Sequence, residues 1–318
     1  MEEFIVMDIP RLDYSQQLQR LIDLGIKSST EERDILSLKT IGYYKLKEFA
    51  HPFMVRNPDI EHYDGLSFEA LVKRYFQDKN LRMQVLHAIE SIEVAVDSQI
   101  ANVLGEKYGA FGYLNFSLWT NRKKMSKFQI EQAQFFFKRD LKKQASRSAL
   151  PDMGKTKNLD SDGFPTVWLM VDTLTFGGMV HLLSIMAPAN QRIIARQFNC
   201  SSAELLSWLG CLNLVRNICS HNSDLLDIRF VTTPLSPTEF TESIFRGNSE
   251  AGLLIRANRI AVALFIIKHF MNIITPNYNF HEIAGSIYRV TQGNSGLIHS
   301  LGFSDKASIG KLNGRVRK

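Results

Sequence analysis

Arg216-Asn217-Ile218-Cys219-Ser220-His221 is the run whose residue types could do chemistry. Histidine is the side chain whose free pKa lies nearest neutrality, so it can take or give a proton. Arginine stays charged, and its planar fork fits a phosphate bidentately. Set beside an RNA phosphodiester, the imidazole can deprotonate the 2′-hydroxyl. The guanidinium can stabilise the charge that gathers on a five-coordinate phosphorus. No metal is needed for either step.

Spacing alone is weak support, because the chain holds 8 His and a second pair of the same spacing, Arg82 and His87. Context separates the two. Arg82 and His87 fall inside an unbroken helical stretch. The 216–221 run follows the apolar stretch Leu205 to Val215 and precedes the helix-ending Asn222-Ser223-Asp224. Chemistry at the exit of a buried helix sits on a rigid support. Residues five apart on a helix point about 140° apart, so Arg216 and His221 do not stack, whereas Asn217 and His221, four apart, do. Asn217 is therefore expected to orient the imidazole. The bland alternative is a basic residue and an imidazole merely complementing a helix C-terminus.

The elements that must position this run read as helices. The spacing predicts helices over Tyr14 to Leu24 and from Ser29 or Thr30 to Thr40. A long helix follows from Ser67 to about Leu104, stopped by Gly105 and Gly109. Leu81, Val85, Ile89, Ile92, Val96 and Ile100 give it a 3–4 spacing. Residues 121–149 read as a basic helix interrupted by Phe135, Phe136 and Phe137; Lys138, Arg139, Lys142 and Lys143 on it either form a solvated face or track a phosphate backbone. A loop over 151–164 precedes a helix from Pro165 to Phe176, and Gly177-Gly178 permits a kink or a close helix crossing. Ser201 and Glu204 form a capping box for the helix that ends in the motif. Residues 230–249 read as irregular, and an apolar helix covers Ala251 to Ile274 with Arg256 and Arg259 on its early turns. Lys306 to Lys318 is a basic tail, disordered at its end. No strand pattern of any length appears. The expected fold is all-α, organised as an N-terminal helical segment (1–66), a helical domain holding the motif (67–275), and a C-terminal helix with the tail (276–318).

Composition narrows the function. The chain has 318 residues, 45% of them hydrophobic, enough for a sizeable core, and its net charge of +6 mildly favours an anionic partner. Cys200, Cys211 and Cys219 lack zinc spacing, and their odd number suits a reducing cytoplasm; Cys211 and Cys219 read as core residues. No apolar run reaches the 18 residues or so of a membrane span, and the acidic Met1–Pro10 segment is not a targeting peptide. No cluster of ligand spacing, phosphate loop, HExxH or GxSxG occurs, so neither metal nor cofactor is expected.

Several ordered elements resemble a known family. Ile41-Gly42-Tyr43-Tyr44-Lys45-Leu46 with Pro52-Phe53 is similar to "IGYYRL…PF". Asn80-Leu81-Arg82 and Ile89-Glu90-Ser91-Ile92-Glu93-Val94-Ala95 are similar to "LR…IExIEVAxR". Pro165-Thr166-Val167-Trp168 and Leu174-Thr175-Phe176-Gly177 are similar to "PxW…LSFG", and 216–221 to "RNxCxH". Over roughly residues 15–230 the chain resembles the Abi-like abortive-infection proteins, bacterial phage-resistance factors of the AbiD and AbiF type. The resemblance implies a HEPN-type all-α domain, and relatives with an intact Rx4H motif are commonly metal-independent RNases that act as dimers. It therefore implies an endoribonuclease of phage defence with Arg216 and His221 as catalytic residues. RNA would be its partner, alongside a second copy of the chain, and there would be no membrane attachment. The alternative is a defence module that holds a regulatory RNA without cutting it. The resemblance also demotes His87, where no particular residue is expected. The chain departs from the family after the motif: His221-Asn222-Ser223-Asp224-Leu225-Leu226 stands for "HHxRxW", so a second histidine is missing and Asp224 adds a negative charge. Arg229 stands where a basic residue usually recurs, and Asp172 where the family often has Glu.

Overall fold

The computed structural model describes residues 11–55, 61–248, 254–255 and 258–314. Its helices begin where side chains can satisfy the first backbone N–H groups. Asp13 and Gln16 cap each other's backbone and open α1 (Tyr14–Asp23). Gly42, with φ of 96°, breaks the chain between α2 (Glu31–Ile41) and α3 (Tyr43–Ala50), a turn that a Cβ would strain. Ser67 accepts the Ala70 N–H and starts α4 (Phe68–Tyr108), a 41-residue spine. That spine runs through Gly105 and stops at Gly109. Gly105 does not end the helix: a Cβ there would come within 2.8 Å of the Trp168 ring, so glycine permits a close crossing.

α5 (Phe116–Trp119) leads to α6 (Lys127–Ala145), which is shorter at both ends than the basic stretch suggests because Ser126 and Gln129 form its capping box. The segment expected as one helix from Pro165 is two, α7 (Val167–Val171) and α8 (Phe176–Ile185). Thr175 caps α8 at Gly178, so the Gly-Gly pair forms a first turn rather than a kink, and it permits a close approach: a Cβ on Gly177 would lie 3.3 Å from the Asn213 side chain. α9 (Pro188–Gln197) and α10 (Ser202–Ser220) follow. The apolar helix expected from Ala251 begins only at Ile260, as α11 (Ile260–Ile274). Arg259 is its N-cap, and Arg256 lies outside the described residues. The basic tail is ordered in its first part. After α12 (His281–Thr291) and α13 (Ser295–Ser300), α14 (Lys306–Gly310) buries Ile309, and Leu312 follows it into the core. Arg315, Arg317 and Lys318 lie outside the described residues, as does Met1–Pro10. Apart from a two-residue antiparallel pairing of Gly247–Asn248 with Leu254–Ile255, the named elements among the described residues are helical, and the fold is all-α.

Two apolar clusters form. The smaller joins α1–α3 to the first turns of α4 through Leu21, Leu46, Phe49, Phe68 and Leu71. The larger wraps the rest of α4 with α5–α14. α11 is buried at every position from Ile260 to Met271, Lys268 and His269 included. Each such Ile, Leu or Phe contributes about 1.5–3 kcal/mol of apolar transfer. Among the described residues no helix is long and apolar enough to cross a membrane.

Candidate active site

α10 carries the motif and is fixed at both ends. Ser201 and Glu204 cap each other's N–H groups at its start. Leu205, Trp208, Leu209, Leu212, Val215 and Cys219 bury one face, and the Trp208 indole donates to the Leu235 carbonyl at 2.7 Å. At the other end His221 is the C-cap, and Asn222 turns left-handed at φ 57°. Asn222 N–H then reaches the Cys219 carbonyl (3.2 Å) and Ser223 N–H the Ile218 carbonyl (3.0 Å), a Schellman closure built on asparagine in place of glycine. His221 is thus the first residue past the regular helix, with an exposed side chain. Asn217 meets it through the backbone, where the Asn217 carbonyl accepts the His221 N–H at 2.9 Å. The Asn217 side chain is exposed, and no hydrogen bond joins it to the imidazole among the described residues.

α4 clamps the chain just beyond the cap. Arg82, 3% exposed, donates from Nη1 to Asn222 Oδ1 (2.9 Å) and from Nε to Asp78 Oδ2 (2.6 Å). Asp78, fully buried, accepts the N–H groups of Leu225 and Leu226 on its other oxygen, both at 3.0 Å. Burial pushes the Asp78 carboxyl up, and Arg82 and the two N–H bonds pull it part of the way back. α3 joins the clamp: Glu48 accepts the Asp224 N–H at 2.9 Å, and Asp224 accepts the Asp227 N–H. Asp224 therefore faces the α3 side instead of adding charge beside Arg216. Burial, with Asp227 and Asp78 close by, pushes its carboxyl well up.

Arg216 opens onto a different space. A cleft of about 560 Å³ between α4 and α10 is lined by Met83, Leu86, His87, Ile89, Glu90, Glu93, Arg216 and Ser220. The Arg216 carbonyl accepts the Ser220 hydroxyl at 2.8 Å, but its guanidinium makes no hydrogen bond or ion pair among the described residues, and its charge acts on Glu93. Burial raises the Glu93 carboxyl and Arg216 lowers it, with burial prevailing. Further along α4, burial, then Glu93, then Asp172, push Asp97 up to about 8, and its Oδ1 has no hydrogen-bond partner among the described residues. His87, to which the sequence assigns no role, lines this cleft together with Arg216. Its Nδ1 lies 2.8 Å from the Tyr278 hydroxyl. The Arg82–His87 pair is thus split by function: Arg82 is a buried clamp, and His87 is exposed. The interruption of an apolar spine by His87, Glu90 and Glu93 at helical spacing is the signal that could have flagged this wall. Among the described residues no group of three His, Cys, Asp or Glu could hold a metal ion.

The remaining expected RNA contacts lie elsewhere. Lys138 and Lys142 sit over the Phe164 ring at 5.7 and 5.2 Å, and Lys142 donates to the Asp162 carbonyl, so both lean on the 160–164 loop. Arg139 pairs with Asp140 and lies 4.9 Å from the Phe136 ring. Lys143 is exposed, beside a helix that leaves Phe128 at 71% and Phe135 at 65% exposure. Arg229 is exposed and stands near Arg259, whose pKa is lowered first by burial and then by the Arg229 charge. None of these five lines the Arg216 cleft.

An all-α protein with a cleft of mixed apolar and charged lining at the exit of a capped helix is thereby defined. The chain belongs to the Abi-like protein family, whose model matches residues 37–227. The family points to abortive infection, a defence against phage. No curated protein and no solved structure gives a significant match.

Proposed function

We propose that this chain is a metal-independent endoribonuclease of abortive infection, built on a HEPN-type helical domain and acting on RNA in the cytoplasm. The observation that carries the reading is that an exposed His221 and an Arg216 whose guanidinium has no partner among the described residues stand on one rigidly capped helix end. His221 takes the proton of the 2′-hydroxyl, and Arg216 holds the phosphate as charge builds. The products are a 2′,3′-cyclic phosphate and a 5′-hydroxyl. Met83, which lines the cleft, with Val94 and Leu214, exposed by 61%, 67% and 44% on α4 and α10, support a homodimer in which a second copy covers these apolar side chains. A second reading, RNA holding without cleavage, is favoured by the exposed aromatic and basic face of α6.

The test is total cellular RNA incubated with the protein in EDTA, followed by analysis of the new ends. Cyclic-phosphate and 5′-hydroxyl ends are expected. A gel shift with no new ends would sink the nuclease reading and leave the binding one; cleavage that appears only when magnesium or manganese is restored would replace the mechanism.

A further inference from the structure

Transesterification by a 2′-hydroxyl requires two proton transfers, one from the nucleophile and one to the leaving 5′-oxygen. The motif supplies one histidine. We propose that His87 is the second catalytic proton-transfer residue, the general acid for the 5′-oxygen, with Tyr278 as its positioning residue; the assignment rests on the nuclease reading above.

Three observations lead to it. Of the 8 His, His87 is the one that lines the Arg216 cleft. His221 follows Ser220, the last cleft-lining residue of α10; both ring nitrogens of His269 are engaged, by Glu239 and by the Phe198 carbonyl, and His51 lines a separate cleft beside α3. Next, His87 is exposed on a rigid element, midway along the 41-residue α4. Finally, its Nδ1 is held at 2.8 Å by the hydroxyl of Tyr278, whose ring packs 5.6 Å from the imidazole in the connection from α11 to α12. Burial pushes the Tyr278 phenol up, so it keeps its proton at neutral pH. That bond leaves Nε2 without a partner among the described residues. With Nδ1–H donating to the tyrosine oxygen, Nε2 can lose and regain a proton while the ring stays fixed.

The step balances without any further reactant. His221 removes the 2′-hydroxyl proton as the 2′-oxygen bonds to phosphorus. The bond from phosphorus to the 5′-oxygen breaks, its electron pair stays on that oxygen, and His87 protonates it from Nε2. The enzyme is left with a protonated His221 and a neutral His87, and exchange with solvent restores both.

The experiment first maps one linkage cut by the wild-type protein in total cellular RNA. It then compares an oligonucleotide across that linkage with one carrying sulfur in place of the bridging 5′-oxygen. A thiolate leaves without a proton, so the sulfur substrate no longer needs an acid. His87→Gln should slow the oxygen substrate by about 10²–10⁴ and approach the wild-type rate on the sulfur substrate. His221→Gln should stay slow on both. Tyr278→Phe, which keeps the ring and removes the hydroxyl, should slow the oxygen substrate less and be rescued in the same way. Circular dichroism establishes that each variant is folded; should His87→Gln not fold, His87→Asn takes its place. A His87 variant that is unimpaired, or equally slow on both substrates, overturns the acid role alone. A Tyr278→Phe variant equally slow on both overturns the positioning role. A wild-type protein that cuts no RNA overturns the nuclease reading, and this assignment falls with it.

Discussion

Replacing Arg82 with methionine tests whether the α4 clamp holds the motif in place. Methionine preserves most of the buried volume and removes the guanidinium. Asp78 then keeps its two backbone N–H donors but loses its counter-charge at a fully buried position. Breaking a buried pair by removing one partner costs about 3–5 kcal/mol. For a chain of this size each kcal/mol lowers the melting temperature by roughly 2–3 °C, so a drop of about 6–15 °C is expected. The loss should depend on pH. Burial already pushes the Asp78 carboxyl up, and without Arg82 it rises further. The native state then holds a proton that the unfolded chain releases, so the variant should recover stability as pH falls from 7 to 5. Adding Asp78→Asn removes the stranded charge and retains an oxygen for Leu225 and Leu226. The double variant should therefore melt above Arg82→Met alone. At 20 °C, where the variants are folded, cleavage by Arg82→Met should fall by about 10²-fold, the scale of an ångström's misplacement of a reacting group. Melting is read by circular dichroism at pH 5 and 7. An Arg82→Met protein that melts within about 2 °C of wild type at both pH values would refute the clamp.

His221→Ala should lower cleavage by about 10²–10⁴ with little change in melting temperature, and Arg216→Lys should not restore what Arg216→Ala loses, because the bidentate fork is gone; wild-type cleavage by either alanine variant would place the chemistry elsewhere. Arg139→Glu with Lys143→Glu should weaken binding to all RNAs alike and flatten its salt dependence by about 0.7 per lost phosphate contact, whereas unchanged affinity at two salt concentrations would return α6 to a solvated face. Asp97→Asn should stabilise the protein increasingly between about pH 4 and the native value of about 8, since over that window the native carboxyl keeps a proton that the unfolded chain has lost; equal melting gains at pH 5 and pH 8.5 would show that charge burial is not the cause.

Much of the fold is written in local pattern. Ser201 and Glu204 announce the start of α10, and the spacing of Leu81 to Ile100 announces the buried face of α4. What fails is whatever depends on which helices meet. Gly105 reads as a stop because nothing nearby in sequence reveals that Trp168 will press against it. Asp224 reads as a free charge beside the motif because its backbone partner, Glu48, lies 176 residues earlier. α13 and α14, of six and five residues, have too few turns to show a period, and tertiary packing of Ile298 and Ile309 holds them. The sequence assigns His87 no role for the same reason. Its role turns on Tyr278, 191 residues away, and on an Arg216 brought into the same cleft by the packing of α10 on α4.

The span matched by the family model has a physical logic. It begins within α2, takes in Glu48 on α3 and the Asp78–Arg82 pair on α4, and ends at Asp227, where the clamp ends. The N–H groups of 222–227 are therefore all bonded to acceptors inside the span. Tyr278 lies outside it. The hydroxyl that fixes His87 is carried by the connection between α11 and α12, both of which pack along α4, with Ile283 and Ile287 of α12 buried in the core. Arg216 and His221 thus depend on the matched span for their geometry, while His87 depends on the C-terminal helices. Loosening the α12 contact, for instance by Ile287→Ala, should cost about 2–5 kcal/mol of stability. In the folded fraction it should depress cleavage of the oxygen substrate more than that of the sulfur substrate. Arg82→Met disturbs the other side of the cleft and should depress both alike.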